Sequence, residues 1–238
     1  MDELEKDKEA LSWLIRAWDD YTGNLPLLLP VLLTQAALSA GSFYLIERYH
    51  SLPAALPYMF FVLTPIAAGL NLVYIKIARA SGARFLDLFS AFPVYHRAIA
   101  VSLGLGLLTM GGALMLIVPG LIIYLTFCFS EYAVVDRRTG IKESFQLSAK
   151  LTEGWKGRLF IIFTLILLVN VLVPDIYVVT GGLKDPSASL DLKPWTVAAA
   201  ALKTLVFLPW LGLAMARAYN FLLLPPVIEP AQPETTVD

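Results

Sequence analysis

The chain contains 238 residues, of which 58% are hydrophobic and 16% are charged, and its mean hydropathy is +0.69. Soluble domains carry roughly a quarter charged residues, so this composition sets aside the soluble, disordered and collagen-like classes and is typical of a membrane protein. The net charge is −1 with no basic run, which leaves nucleic-acid binding without an electrostatic basis.

Residues 1–24 are predicted to form a cytoplasmic amphipathic helix. Leu11, Leu14, Ile15 and Trp18 recur at the spacing of one helical face, and the surrounding charges are mainly acidic. Such a helix can lie among lipid headgroups, pack on its own bundle or bind a protein partner. The acidic charge argues against anionic lipid and leaves the other two roles open.

Two spanning helices follow, at residues 25–46 and 53–78. Leu25 to Ile46 and Leu52 to Ile75 are uncharged runs of 22 and 24 residues. At about 1.5 Å per residue, each is long enough to cross a hydrocarbon core of roughly 30 Å.

The next uncharged run, Ala98 to Ser130, has 33 residues and is too long for one crossing. Pro119 and Gly120 favour a break, because proline restricts the residue before it and glycine tolerates a turn. The sequence therefore predicts spans at 98–118 and 120–135. A re-entrant hairpin is the alternative.

The last two predicted spans are 159–182 and 195–224, which completes a six-span membrane domain over residues 25–228. Residues 229–238, rich in proline and acid, are expected to be a disordered tail.

Basic residues set the expected orientation. Thirteen Lys and Arg fall in the N-terminal tail and the second and fourth loops, against three on the opposite side. Because short cytoplasmic loops collect basic residues, both termini are expected in the cytoplasm.

The predicted fold is an all-α polytopic bundle of three hairpins, each preceded by an amphipathic helix. Phe85, Leu88, Phe89 and Phe92 have helical spacing ahead of the second hairpin. Ahead of the third, a basic helix ends near Trp155, and Ser144 and Ser148 form a polar notch in its apolar face. We expect this third helix to meet lipid headgroups.

Several polar residues fall in the cytoplasmic third of the predicted spans, where ionisable groups are costly and mark candidate sites. They are Glu131, Arg217, Asn220, Asn71 and Lys76. One hypothesis is a pocket in which Glu131 pairs with Arg217 and binds a headgroup or small solute. In the alternative, Lys76 and Arg217 extend to the interface and Glu131 lies at a helix end. Deeper in the membrane, Lys203 needs a partner, for which Asp175 is the best candidate and Asn170 the alternative.

No catalytic motif, metal site or cofactor site is predicted. The two histidines, His50 and His96, lack the spacing of a metal-binding helix, and neither a P-loop nor a dinucleotide fingerprint is present. Cys128 is the only cysteine, so no disulfide is expected.

The segment Ile117-Val118-Pro119-Gly120, with the later spacing of Asp136, Gly140, Ser144, Ser148, Leu151, Gly154 and Trp155, resembles the YciC-like family of six-span bacterial membrane proteins of unknown function. This family is similar to the membrane domain that precedes some glycerophosphodiester phosphodiesterases. The resemblance implies a helical membrane fold. It does not imply phosphodiesterase activity, which belongs to a separate soluble barrel in those enzymes.

The expected function is therefore that of a non-enzymatic protein of the bacterial inner membrane, which engages lipid or another amphiphile at the cytoplasmic leaflet. Two alternatives are a scaffold or accessory subunit, whose N-terminal helix binds a protein partner, and a small-solute transporter lined by Lys203 and Asp175.

Overall fold

The computed structural model describes residues 10–180 and 186–224. Within them the chain is a bundle of helices with one two-stranded sheet. Five helices are long and apolar enough to cross a membrane, and a sixth span is obtained if the bent pair Ile141–Thr152 and Lys156–Leu172 is counted as one. The predicted tail at 229–238 lies outside the described residues, as do residues 1–9 of the predicted first helix.

Helix α1 (Ala10–Gly23) is separated from α2 (Leu25–Tyr49) by Asn24 alone. The face of α1 that packs on the bundle lies about a quarter turn from the predicted apolar stripe, which is mostly exposed. Trp13, Leu14, Ala17 and Tyr21 are buried, whereas Leu11, Ile15 and Trp18 are exposed. In a membrane, both the protein interior and the lipid accept apolar side chains, so hydrophobic spacing alone does not select the packed face.

The second span joins α3 (Leu52–Tyr58) to α4 (Thr64–Ala78) through a π-helical turn at Met59–Leu63. The Thr64 hydroxyl donates to the Met59 carbonyl oxygen at 3.2 Å. The same oxygen accepts from the Thr64 amide, which is the bond that defines the wider turn.

The predicted second amphipathic α-helix is replaced by two 3₁₀ turns, Phe85–Phe89 and Phe92–Val94. Pro93 lacks the amide that would continue a helix from the first turn into the second. The first turn lies directly on α4 at Gly69, where an added Cβ would overlap the Leu88 carbonyl group. Glycine at this position therefore permits the loop to dock.

Helix α5 (Tyr95–Met115) and helix α6 (Ile117–Phe127) are separated by Leu116, which is extended. The predicted break at Pro119 and Gly120 is therefore displaced toward the N-terminus. Pro119 lies in the first turn of α6, where a missing amide breaks no helical hydrogen bond. The backbones of α5 and α6 approach closely, and a Cβ added at Gly112 would lie 2.9 Å from the Gly120 Cα.

Span four is interrupted after α6 and resumes as α7 (Ser130–Arg137). Helix α8 (Ile141–Thr152) follows, and the chain then turns by 106° into α9 (Lys156–Leu172). At 17 residues, α9 is about 25 Å long.

The predicted helix over 159–182 ends early, at Leu172. Val173 precedes Pro174 and is extended. Proline disfavours the helical conformation of the residue before it, which explains why the helix ends here. The chain then forms β1 (Tyr177–Thr180), which pairs antiparallel with β2 (Ser187–Leu190). The β-branched residues of β1 suit this hairpin better than a helix.

The last span comprises α10 (Pro194–Leu202), a π-helical turn at Lys203–Phe207 and α11 (Leu208–Leu223). Helix α1 packs along α11. The Trp210 indole donates to the Leu14 carbonyl oxygen at 2.8 Å, and the Tyr21 hydroxyl donates to the Leu205 carbonyl oxygen at 2.8 Å. Residues before the first span are thus part of the bundle core.

Candidate functional site

An ion pair joins the ends of three membrane-spanning segments. Arg79, which follows α4, donates from both terminal nitrogens to the two oxygens of Asp136 in α7, at 2.9 and 3.0 Å. The Asn220 side chain of α11 accepts from Arg79 Nη2 at 2.9 Å and donates to the Ile75 carbonyl oxygen at 3.1 Å. Bonding to Asp136 raises the pKa of Arg79 above its ordinary value, and an arginine is charged in any case.

A second ion pair lies beside the first. Arg217 of α11 donates from Nε to Asp20 Oδ2 at 2.6 Å and from Nη2 to Asp20 Oδ1 at 2.7 Å. The predicted pairing of Arg217 with Glu131 is therefore wrong. Asp20 lies on α1, and the packing of α1 along α11 brings its carboxylate within reach of Arg217.

A cavity of about 540 Å³ opens between these ion pairs. We call it the arginine pocket, and it is lined by Trp13, Arg16, Ala78, Arg79, Asp136, Arg137, Arg217, Asn220, Phe221, Leu223 and Leu224. The indole of Trp155 lies behind its wall, with ring centroids 6.0 Å from Trp13 and 5.4 Å from Phe221. The pocket thus combines an aromatic wall with guanidinium groups.

Arginine side chains dominate the charge of the arginine pocket. Four of them line it, and Asp136 and Asp20 balance the charges of Arg79 and Arg217. Arg137 is exposed, and no hydrogen bond or ion pair joins its side chain to another residue in the described ranges. A planar fork of donors above an apolar wall is suited to a phosphate or carboxylate group attached to an apolar chain.

Only two predicted candidates, Arg217 and Asn220, line this pocket. Lys76 instead pairs with Asp87 at 2.6 Å. Asn71 is half-buried, and none of the hydrogen bonds found among residues 10–180 and 186–224 involves it. Glu131 lines a different cavity, together with Ser102.

Ser144 and Ser148 are fully buried and face the bundle, so the predicted notch toward lipid is wrong. The Ser148 hydroxyl donates to the Thr126 carbonyl oxygen at 2.9 Å and accepts from the Phe129 amide at 3.1 Å. Thr152 donates to the same Thr126 oxygen at 3.1 Å. The interruption between α6 and α7 frees these backbone groups, and a membrane interior offers them no water.

The structure brings Lys203 and Asp175 together, with Nζ 2.9 Å from Oδ1. The Lys203 side chain is 3% exposed, whereas that of Asp175 is 63% exposed. The ammonium group also donates to the Val173 carbonyl oxygen at 3.3 Å. The pair belongs to the end of the bundle that carries the β-hairpin.

Sequence reasoning missed Arg79, Asp136, Arg137 and Trp13. Arg79, Asp136 and Arg137 lie next to the ends of apolar stretches, where charged residues commonly flank a span. The available signal was their shared position at span ends on the side richer in basic residues. Trp13 directly precedes Leu14 and lies outside the predicted apolar spacing of the first helix.

The fold defines a multi-pass helical membrane protein. Large apolar side chains are widely exposed on its helices, including Leu107 of α5 and Val171 of α9, as expected where lipid is the solvent. Within the described residues, no three His, Cys, Asp or Glu side chains lie close enough to hold a metal ion.

Comparison of the chain with protein-family models, with curated proteins and with solved structures finds no match. The resemblance to the YciC-like family therefore stays a prediction.

Proposed function

We propose that this protein is a non-enzymatic membrane protein that binds an anionic amphiphile in the arginine pocket, at the cytoplasmic leaflet of a bacterial inner membrane. The observation that carries the proposal is the pairing of guanidinium groups with an aromatic and aliphatic wall in one cavity. The basic majority of the second and fourth loops supports the cytoplasmic orientation.

Different residues of the lining contact different parts of the ligand. Arg79 and Arg217 are held by Asp136 and Asp20, so they present fixed positive edges. Arg137 is exposed and free to close on a headgroup, while Leu223 and Leu224 at the end of α11 contact the apolar chain. A phosphate or carboxylate is the expected headgroup because each accepts two parallel bonds from arginine.

The test compares Arg137→Gln with Arg138→Gln. Both substitutions remove one positive charge from adjacent exposed residues, but only Arg137 lines the pocket. Each variant is purified in a neutral alkyl maltoside detergent, offered equal amounts of phosphatidylglycerol and phosphatidylcholine, and analysed by native mass spectrometry. We expect Arg137→Gln to lower phosphatidylglycerol retention about tenfold, the effect of losing one charge-assisted hydrogen bond, and Arg138→Gln to leave retention unchanged.

Equal losses in the two variants would contradict a defined pocket and indicate general attraction to positive charge. The basic helix α8 offers a further contrast, since Lys142 and Lys150 are exposed on it. If neutralising Lys142, Lys150 and Lys156 lowers retention while Arg137→Gln does not, the headgroup meets α8 and the arginine pocket is not the site.

A scaffold or accessory subunit is the second candidate, and the exposed apolar stripe of α1 favours it. Leu11, Ile15 and Trp18 are 62%, 57% and 44% exposed, respectively, although α1 is otherwise packed against α11. A double substitution, Leu11→Ser with Ile15→Ser, keeps the buried face of α1 intact. If the protein is a scaffold, a protein that co-purifies with the wild type should be lost from this double variant, while phosphatidylglycerol retention should be unchanged.

Transport is the third function considered for this chain, with Lys203 and Asp175 lining a water-filled path. Neither residue lines the arginine pocket or the cavity that contains Glu131. Their pairing is better explained as a structural ion pair that neutralises a buried lysine.

A further inference from the structure

A second cavity, of about 260 Å³, lies within the membrane-spanning part of the bundle. We call it the glutamate pocket. It is lined by Met59, Leu63, Thr64, Ala67, Ala68, Ala98, Ser102 and Glu131. It is bordered by the π-helical turn of the second span, by α5 and by the start of α7, and irregular helical turns of this kind are frequent at functional sites.

Glu131 is the only ionisable residue among those lining the glutamate pocket, and no ion pair within the described residues includes it. Three cations at the ends of other spans have partners of their own. Their pairs are Lys76 with Asp87, Arg79 with Asp136 and Arg217 with Asp20. An ionised carboxylate at membrane depth costs several kcal/mol without a positive partner, so Glu131 takes that form where a bound cation compensates its charge.

The position of Glu131 suits a carboxyl group that meets a cation. It lies in the first turn of α7, where the positive end of the helix dipole attracts a carboxylate. Ser102 of α5 lines the same cavity. The pocket therefore offers one carboxyl group and one hydroxyl to a ligand that donates hydrogen bonds.

The remaining lining selects the class of cation. Thr64 already donates its hydroxyl hydrogen to the Met59 carbonyl oxygen, and one carboxylate with two hydroxyls is far short of the oxygen ligands that calcium requires. An alkylammonium group needs fewer partners. Its N–H groups can donate to Glu131 and Ser102, while its methylenes contact Leu63 and the alanines.

The pocket is accessible from the side of the bundle that faces lipid. Met59 is 38% exposed and Ala67 is also exposed, and both belong to the second span. A ligand with an apolar chain can therefore enter from the membrane. We propose that the glutamate pocket binds a primary ammonium group carried on an alkyl chain, with Glu131 as the recognising residue and Ser102 as a second acceptor.

This proposal is independent of the arginine pocket, which has the opposite charge and shares no lining residue with the glutamate pocket. Failure of phosphatidylglycerol binding would leave it untouched, and its own failure would leave the proposed function untouched.

The test uses dodecylamine as the probe and dodecanol, which has the same chain without the charge, as its match. The full chain in neutral alkyl maltoside is incubated with each, and the bound fraction is measured by native mass spectrometry. We expect one dodecylamine to be retained per chain and the retained fraction to be about tenfold lower in Glu131→Gln, as for the loss of a charge-assisted hydrogen bond. Glu47→Gln, which makes the same change at an exposed residue near the end of α2, should retain the probe fully.

A second variant tests the proposal in case Glu131→Gln does not fold. Ser102→Ala keeps the carboxylate and is expected to retain several-fold less dodecylamine than the wild type, and a dodecylamine-induced rise in Tm should shrink in parallel. Retention of ethylamine with the same dependence on Glu131 would support ammonium recognition and assign the group to a water-soluble amine. Equal retention of dodecanol and dodecylamine, or equal retention by wild type and Glu131→Gln, would overturn the proposal.

Discussion

Asp20 and Arg217 form a two-bond ion pair, at 2.6 and 2.7 Å, between a helix that precedes the first span and the last span of the bundle. The two side chains are 15% and 23% exposed, respectively. The pair fixes α1 along α11 and thereby positions Trp13 and Arg16 at the arginine pocket. Residues separated by 197 positions in the chain thus contribute to one wall of the site.

Replacing Asp20 with asparagine is expected to destabilise the protein. Arg217 would lose its charged partner in a largely buried place, at a cost of about 2 kcal/mol, below the 3 to 5 typical of complete burial because both groups keep some exposure. Thermal unfolding in detergent, followed by tryptophan fluorescence, measures the change. Asp19→Asn is the control, since Asp19 is exposed, and equal shifts in Tm for the two variants would contradict a specific role for the pair.

Replacing Ser148 with alanine is expected to destabilise the protein at the interruption between α6 and α7. The Thr126 carbonyl oxygen would keep only Thr152, and the Phe129 amide would lose its side-chain acceptor. An unsatisfied buried backbone group costs about 1 to 3 kcal/mol. The variant should unfold at a lower temperature or lower SDS fraction than the wild type.

The control for this change is Gln146→Ala, on the exposed side of the same helix. This variant also loses a polar side chain, but its free energy of unfolding should change by less than about 0.5 kcal/mol. If both variants behave alike, the serine does not support the break between α6 and α7.

The positions of most helices were predictable because an uncharged run of sufficient length is a local property of the sequence. The run from Leu25 to Ile46, for instance, lies within α2. The turn at Leu116 and the strand at Tyr177–Thr180 were missed for local reasons too. Proline is tolerated in the first turn of a helix, so Pro119 does not mark the break itself, whereas Pro174 does end the helix before it.

The arginine pocket was far less predictable. Arg79 and Asp136 are 57 residues apart, and no periodicity within either segment indicates that they meet. The partner of Arg217 depended on which face of α1 packs inward, and lipid and protein interiors both accept the apolar residues that distinguish the faces. The Lys203 and Asp175 contact was easier to predict, because a charge deep in a span restricts the choice to few partners.

Replacing Gly69 with alanine is expected to displace the 3₁₀ turn that docks on α4. The added Cβ would overlap the Leu88 carbonyl group, and relief requires a backbone shift that costs about 1 to 3 kcal/mol. Gly106→Ala is the matched control, because nothing lies within 4 Å of a Cβ there. The control should gain about 0.5 to 1 kcal/mol from helix propensity, so Tm should move in opposite directions in the two variants.

The unequal burial of Lys203 and Asp175 predicts unequal effects of removing either partner. Asp175→Asn leaves a 3% exposed ammonium group with one neutral amide and the Val173 carbonyl oxygen as acceptors, which is expected to cost about 3 kcal/mol. Lys203→Met removes the buried charge and leaves a carboxylate that water already reaches. The methionine fills most of the same volume, so the lysine variant is expected to be the more stable of the two.

Thermal unfolding of the two variants measures the difference, with Lys193→Met as a control. Lys193 forms a looser pair with Asp191 at 3.6 Å and is 67% exposed, so its removal should change stability by less than about 1 kcal/mol. If Lys203→Met is as destabilising as Asp175→Asn, the ion pair itself stabilises the bundle. The expected order, with Asp175→Asn the less stable, indicates instead that Asp175 serves to neutralise a lysine that the π-helical turn holds inside the membrane.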